Sequence, residues 1–195
     1  MQIRKTSRWS LVANAAVAMG LLWPSPAAAQ TVAGHARAVQ ATTASSGSVT
    51  LADTGTLGGP TDAREASQQT GSVAALLSGE TLHAATIGWD DQASSEASIS
   101  NVSVTVGGNT ITAEFALARV IVGARGNTRV RTSTVEGLTI NGAAVNVSGQ
   151  PNQSMSIPGG TLVINEQTGS VVNALHIVIN GEADVVLASA SASVQ

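Results

Sequence analysis

Between positions 80 and 96 the chain gathers four carboxylates, Glu80, Asp90, Asp91 and Glu96, around Trp89. Carboxylate oxygens are what calcium takes, roughly six to eight at a time, so such a stretch is the natural place to look for a cation site. The spacing matches no EF-hand, because the alternating Asp/Asn ladder and the turn glycine of that loop are missing. As a site, Glu80, Trp89, Asp90 and Asp91 would bind calcium or an extracellular polysaccharide, provided that the four side chains converge. As plain structure, the acids belong to a solvated loop.

A second pair, Glu114 and Glu166, lies in stretches that read as strands. Two carboxylates about 5 to 9 Å apart across one open cleft would suit a glycan hydrolase. Against that stands a strand carboxylate paired with an arginine such as Arg119 or Arg129, or turned to solvent. His176 sits among apolar neighbours in Asn173–Ile177 and reads as a hydrogen-bonded core group, and neither His35 nor His83 stands in a catalytic pattern. No nucleophile elbow of the G-x-S-x-G kind and no phosphate-cradling glycine loop opens a helix. No catalytic residue is assigned, and the chain reads as a non-enzyme.

The residues that would position these groups begin with a leader. Arg4, Lys5 and Arg8 precede an apolar run from Leu11 to Trp23, closed by Pro24 and Pro26 and followed by Ala27–Ala29. That run is shorter than the ~20 residues needed to span a bilayer, so residues 1–29 are expected to form a helical signal peptide cleaved after Ala29. Export to the periplasm or the medium follows, with no membrane span in the mature chain. Three of the nine basic residues leave with the leader while all twelve acids stay, a mature balance of six against twelve and a net charge of −6. The six arginines form no basic stripe, so a nucleic-acid partner is not expected. The chain has no cysteine, which excludes disulfides and thiolate metal sites. Only Trp89 and Phe115 remain as aromatics, few for a sugar-binding platform.

Residues 30–72 are rich in Ala, Ser, Thr and Gly and are expected to be partly loose, with one short strand at Val49–Leu51. From position 73 to 195 the chain reads as one β domain, dense in Val, Ile and Thr and punctuated by Gly, Asn and Pro. Strands are expected at 81–89, 97–106, 110–122, 128–135, 138–140, 144–148, 161–166, 171–179 and 183–190. The pair Gly107-Gly108 and the pair Asn141-Gly142 should make tight hairpin turns. Ile99, Asn101, Ser103 and Thr105 are assigned to a wet face opposite Val102, Val104 and Val106. Val171–Ile179, apolar on both faces, is placed centrally and covered on both sides. Helices over 65–85 are an alternative that lacks caps. The fold class is all-β, an antiparallel β-sandwich of about eight to ten short strands.

Several segments in order resemble the bacterial choice-of-anchor P proteins: Asn101–Glu114, Ser133–Gly142, Pro151–Gln153, Leu162–Gln167, Val172–Ile177 and Asp184–Ala190. That resemblance implies an exported domain of unestablished activity, attached in different members through different C-terminal anchors, and it carries over no catalytic residues. No sorting segment is expected after the last strand here, and the cysteine pair of some relatives is missing. Glu114, Asn165, Glu166, Asn173 and His176 are the polar positions inside the similar segments, and a buried hydrogen-bond network is expected to hold them. The sequence thus reads as a secreted or periplasmic structural or interaction module with a protein or polysaccharide partner and no cofactor, calcium being the one candidate ion.

Overall fold

The computed structural model describes residues 30–44, 47–123 and 127–195. The expected leader and its cleavage after Ala29 lie outside these residues. Valine, isoleucine and threonine alternating with small polar residues favour extended chain, and the described residues form thirteen strands with no helix. They are β1 (Val32–Thr43), β2 (Gly47–Asp53), β3 (Ala63–Val73), β4 (Leu77–Trp89), β5 (Gln92–Val106), β6 (Asn109–Gly123), β7 (Thr128–Glu136), β8 (Thr139–Ile140), β9 (Ala143–Ala144), β10 (Gln153–Ile157), β11 (Gly160–Thr168), β12 (Val171–Ile179) and β13 (Ala183–Val194).

Every pairing is antiparallel. One sheet has six strands in the order β10-β11-β12-β13-β1-β2; the other has seven, β3-β4-β5-β6-β8-β9, with β7 also on β6. The sheets pack face to face as a sandwich, β13 and β1 lying over β4, β5 and β6. Leu82, Ile99, Ile111, Leu162, Ile164 and Leu175 are among the largest side chains buried between them. Alanine and glycine fill much of the remaining contact. A Cβ at Gly34 on β1 would run into Thr86 Oγ1, Leu57 Cδ1 and Ser95 Oγ. Thr86 and Ser95 form a buried hydroxyl pair at 2.7 Å beneath that glycine.

A seam crosses each sheet. On β5 the buried residues run Ala93, Ser95, Ala97, Ile99 and then Val102, Val104, Val106, so the inward face changes parity at Asn101, whose φ is +46°. In the six-stranded sheet the register lines up Ala52, Ala38, Ala188, Ala174 and Asn165 from β2 to β11. Alternate members take left-handed backbone: Ala52 at +46°, Ala188 at +50° and Asn165 at +51°. A one-residue change of phase swaps every later side chain between core and solvent, and making it in register keeps each strand buried on the correct side. Asparagine, and to a lesser degree alanine, tolerates left-handed backbone better than β-branched residues do, although Thr81 (+48°) adopts it where β4 changes phase.

Both anticipated turns are present. Gly107 (+55°) and Gly108 (+73°) join β5 to β6, and Asn141 (+52°) and Gly142 (+78°) join β8 to β9, positive at both central residues as in a type I′ hairpin. Other expectations need correction. Residues 30–72 contribute three strands, and β1 lies within its sheet between β13 and β2, because its alanines at 36, 38 and 41 bury fully in a core built for small side chains. Position 73, expected to open the β domain, is the last residue of β3. Residues 65–85 are parts of two strands and the turn at 74–76, not helices, and the strand expected at 144–148 stops at Ala144. Ile99 points into the core, not to the wet side. Val171–Ile179 is an inner strand whose outer face is half-exposed at Asn173, His176 and Val178.

Candidate functional site

The β4–β5 hairpin brings Trp89, Asp90 and Asp91 to one end of the seven-stranded sheet. Trp89 pairs with Gln92, so Asp90 and Asp91 are the two turn residues, and both are exposed. They line a shallow hollow of about 560 Å³ together with Pro60, Asp62 and Ile87. Asp62 is already engaged: its Oδ2 accepts from the Gly58 amide at 2.6 Å and from Arg64 Nε at 2.7 Å, and these bonds hold its carboxyl below the usual carboxylate range. Asp90 and Asp91 keep their oxygens toward solvent.

Glu80 does not join them. It lies nine residues earlier on β4, about 30 Å away at ~3.3 Å per strand residue, and accepts from Asn101 Nδ2 at 2.9 Å. The four-residue cluster is therefore split between two ends of one strand. No group of three or more His, Asp or Glu side chains is placed to hold a metal ion among the described residues.

Around Trp89 the outer face is ordered in rows by register. Ala63, Ile87, Ser94, Ile121 and Val130 lie side by side across β3, β4, β5, β6 and β7. Ile87 is 39% exposed, Val130 43% and Trp89, one row above, 44%. The row below is charged, Glu65, Ala85, Glu96, Arg119 and Thr132, with Arg119 Nε 3.5 Å from Glu96 Oε2. The row is thus an apolar stripe on four of its five strands, interrupted by Ser94 on β5, with acids at its Trp89 corner and an ion-paired row along its side.

The outer face of the six-stranded sheet is different. Asp53, Arg37, Ser189, Asn173 and Glu166 form one lateral row beside the seam, from β2 to β11. Asn173 Nδ2 donates to Glu166 Oε2 at 2.6 Å. His176 on β12 bridges β11 and β13, its Nδ1 2.9 Å from Glu166 Oε2 and its Nε2 3.0 Å from Asp184 Oδ1. Burial pulls the imidazole pKa down, but the Glu166 hydrogen bond and the charges of Glu166 and Asp184 outweigh it and raise it above the ordinary value. At the other end His35 Nε2 lies 2.6 Å from Asp53 Oδ1. Burial raises the Asp53 pKa, yet the Gly55 amide and His35 hold it net below the usual range. Arg37 Nε and Asn173 Oδ1 are buried without a partner in this row.

Glu166, Asn173 and His176 thus form a hydrogen-bonded network, but on the partly exposed outer face and not in the core, where the sequence predicts a buried network and a core histidine, and Asn165 has its own bonds to Gly149 and Gln167. Glu114 takes no part: it is exposed on β6 of the other sheet, with its side chain beside Gly137. The two carboxylates considered as a hydrolytic pair therefore stand in different sheets, and Arg119 pairs with Glu96 instead of either. The apolar stripe went unread because its members come from four strands whose register no local pattern reveals; the signal available was the apolar parity of Ile87 and Trp89 next to a two-residue turn.

No protein-family model matches the chain, no curated protein matches its sequence, and no solved structure matches its fold.

Proposed function

We propose that this chain is an exported, non-enzymatic interaction module that docks a partner protein on the outer face of its seven-stranded sheet. One observation carries the reading: Ile87, Trp89 and Val130, the large apolar side chains exposed among the described residues, all fall on that face and at one end of it. Single exposed apolar residues are ordinary on any surface, whereas a shared row with a polar rim is the anatomy of a contact. Asp90 and Asp91 favour a partner segment that sets a lysine or arginine over the Trp89 ring, where indole face and carboxylates attract the same cation. Export is proposed from the leader pattern of residues 1–29. A polysaccharide lying on Trp89 in the hollow beside Asp90 and Asp91 is the second reading.

The docking test places a photo-reactive amino acid at Val130 or, as control, at Ser156 on the opposite sheet, in the producing cells. A discrete protein adduct from position 130 that disappears with Ile87→Asp or Trp89→Ser supports the proposal. No adduct from 130, or the same adduct from 156, refutes it, and Trp89 quenching by envelope glycans alone shifts the assignment to the second reading. Export is tested separately by the N-terminus of the protein recovered outside the cytoplasm, expected at Gln30; an intact Met1 overturns it.

A further inference from the structure

We infer that a second copy of this chain pairs with the open edge of β3, antiparallel and about a two-fold axis, to join two seven-stranded sheets into one. Among the described residues β3 hydrogen-bonds only to β4; it spans Ala63–Val73 and is exposed at eight of its eleven residues. An edge of that length offers a row of unpaired backbone groups, which proteins ordinarily blunt with proline, lysine, charge or brevity. The other edges are shorter or charged. β10 has five residues and β9 two, β2 has seven and ends on Asp53, while β7 carries Arg129, Arg131 and Glu136 and is tied across by Arg131 Nη1 to the Gly169 carbonyl at 2.9 Å. β3 has neither proline nor lysine, and its only charges, Arg64 and Glu65, sit at one end.

The occupant follows from the side chains. From Ser67 to Val73 the edge presents Ser, Gln, Gln, Thr, Gly, Ser and Val, with no charge or large exposed apolar group to select a foreign segment. Main-chain pairing is then the whole attraction, and an identical strand meets it with matched ends. With the axis between Gln69 and Thr70, Ser67 meets Ser72 of the second copy, Gln68 meets Gly71 and Gln69 meets Thr70. Arg64 and Glu65 then fall opposite Ala75 and Ala74 of the turn, so no like charges oppose each other. Ser67 lies opposite His83 and Ser72 opposite Ser78, both on the outer side of β4 because the seam's change of phase falls between them, so a perpendicular two-fold puts both apolar stripes on one surface. Each stripe begins at Ala63 on β3 itself, and the dimer would present its partner with two linked docking rows.

Sedimentation velocity over a concentration series tests the pairing and its register together. The wild-type chain should show a concentration-dependent dimer. The double variant Ser67→Lys with Ser72→Lys sets like charges opposite at both symmetry-related positions and should weaken the dimer at least tenfold. Ser67→Glu with Ser72→Lys sets opposite charges there and should return the dissociation constant to within threefold of wild type. Circular dichroism and melting temperature confirm that the variants keep the fold. A wild-type monomer at every concentration, a dimer indifferent to the two lysines, or a folded charge-paired variant that fails to dimerise overturns the inference.

Discussion

Ala188 on β13 sits on the seam with left-handed backbone and no exposure, whereas Ala190, two residues on and equally buried, is extended. Replacing either alanine by glycine removes one buried methyl, worth about 0.8 kcal/mol, and adds backbone freedom to the unfolded chain, worth about 0.5 to 1 kcal/mol. At Ala190 nothing offsets these losses, so Ala190→Gly should cost about 1.5 kcal/mol. At Ala188 glycine also relieves left-handed strain of about 1 to 2 kcal/mol, so Ala188→Gly should fall within about 0.5 kcal/mol of wild type. For a chain of this length the contrast is about 3 to 6 °C in melting temperature, readable by circular dichroism. Ala188→Val, which puts a β-branched residue in left-handed backbone and adds two methyls to a closed site, should cost more than about 3 kcal/mol. If Ala188→Gly loses as much as Ala190→Gly, the strain attributed to the seam is not there.

Two further outcomes follow from the packing and the polar row. Glycine to alanine in ordinary extended chain gains about 0.4 to 1 kcal/mol, but Gly34→Ala should cost more than about 2 kcal/mol in urea melts, because the new methyl meets Thr86 Oγ1 and Ser95 Oγ; a gain would mean the interior yields there. His176 has a raised folded pKa, so its contribution is complete below its unfolded value of about 6.5 and is lost as pH climbs through the folded value. His176→Gln should therefore cost about 1.5 to 3 kcal/mol at pH 5.5 and distinctly less at pH 8.5, and an equal cost at both refutes the clasp between Glu166 and Asp184. Asp53 acts with the opposite sign, its lowered pKa giving a contribution present above about 3.8 and lost as pH falls.

Strand chemistry and the two I′ turns were legible because both are local: Asn141-Gly142 needs only its own two residues to announce a hairpin. Parity was not. In Val171–Ile179 the buried residues are Val172 and Ala174 and then Leu175, Ile177 and Ile179, so alternation is present in two halves out of phase and reads in sequence as a strand apolar on both faces. Ile99 was assigned to the wrong face for the same reason, since it lies just before the phase change at Asn101. β1 was hidden because four of its six buried residues, Gly34, Ala36, Ala38 and Ala41, are small and leave only Val32 and Val39 as apolar signal, too little to mark a core unless the opposing sheet is known to approach closely. β3 was hidden because an exposed edge strand has no apolar side to betray it. Of the candidate cluster, Trp89, Asp90 and Asp91 were kept together by the hairpin, while Glu80 was lost because nine extended residues carry it to the other end of the sheet.

Trp89 is the sole tryptophan of residues 30–195, and its exposed ring marks the corner of the apolar stripe. Fluorescence of that fragment, titrated with the partner recovered by cross-linking at Val130 and read as acrylamide quenching, reports on the docking face directly. Docking on the stripe predicts a blue shift and a severalfold loss of quenching that saturates with binding and vanishes with Ile87→Asp. Saturable binding that leaves Trp89 fully quenchable would contradict the assignment of that face.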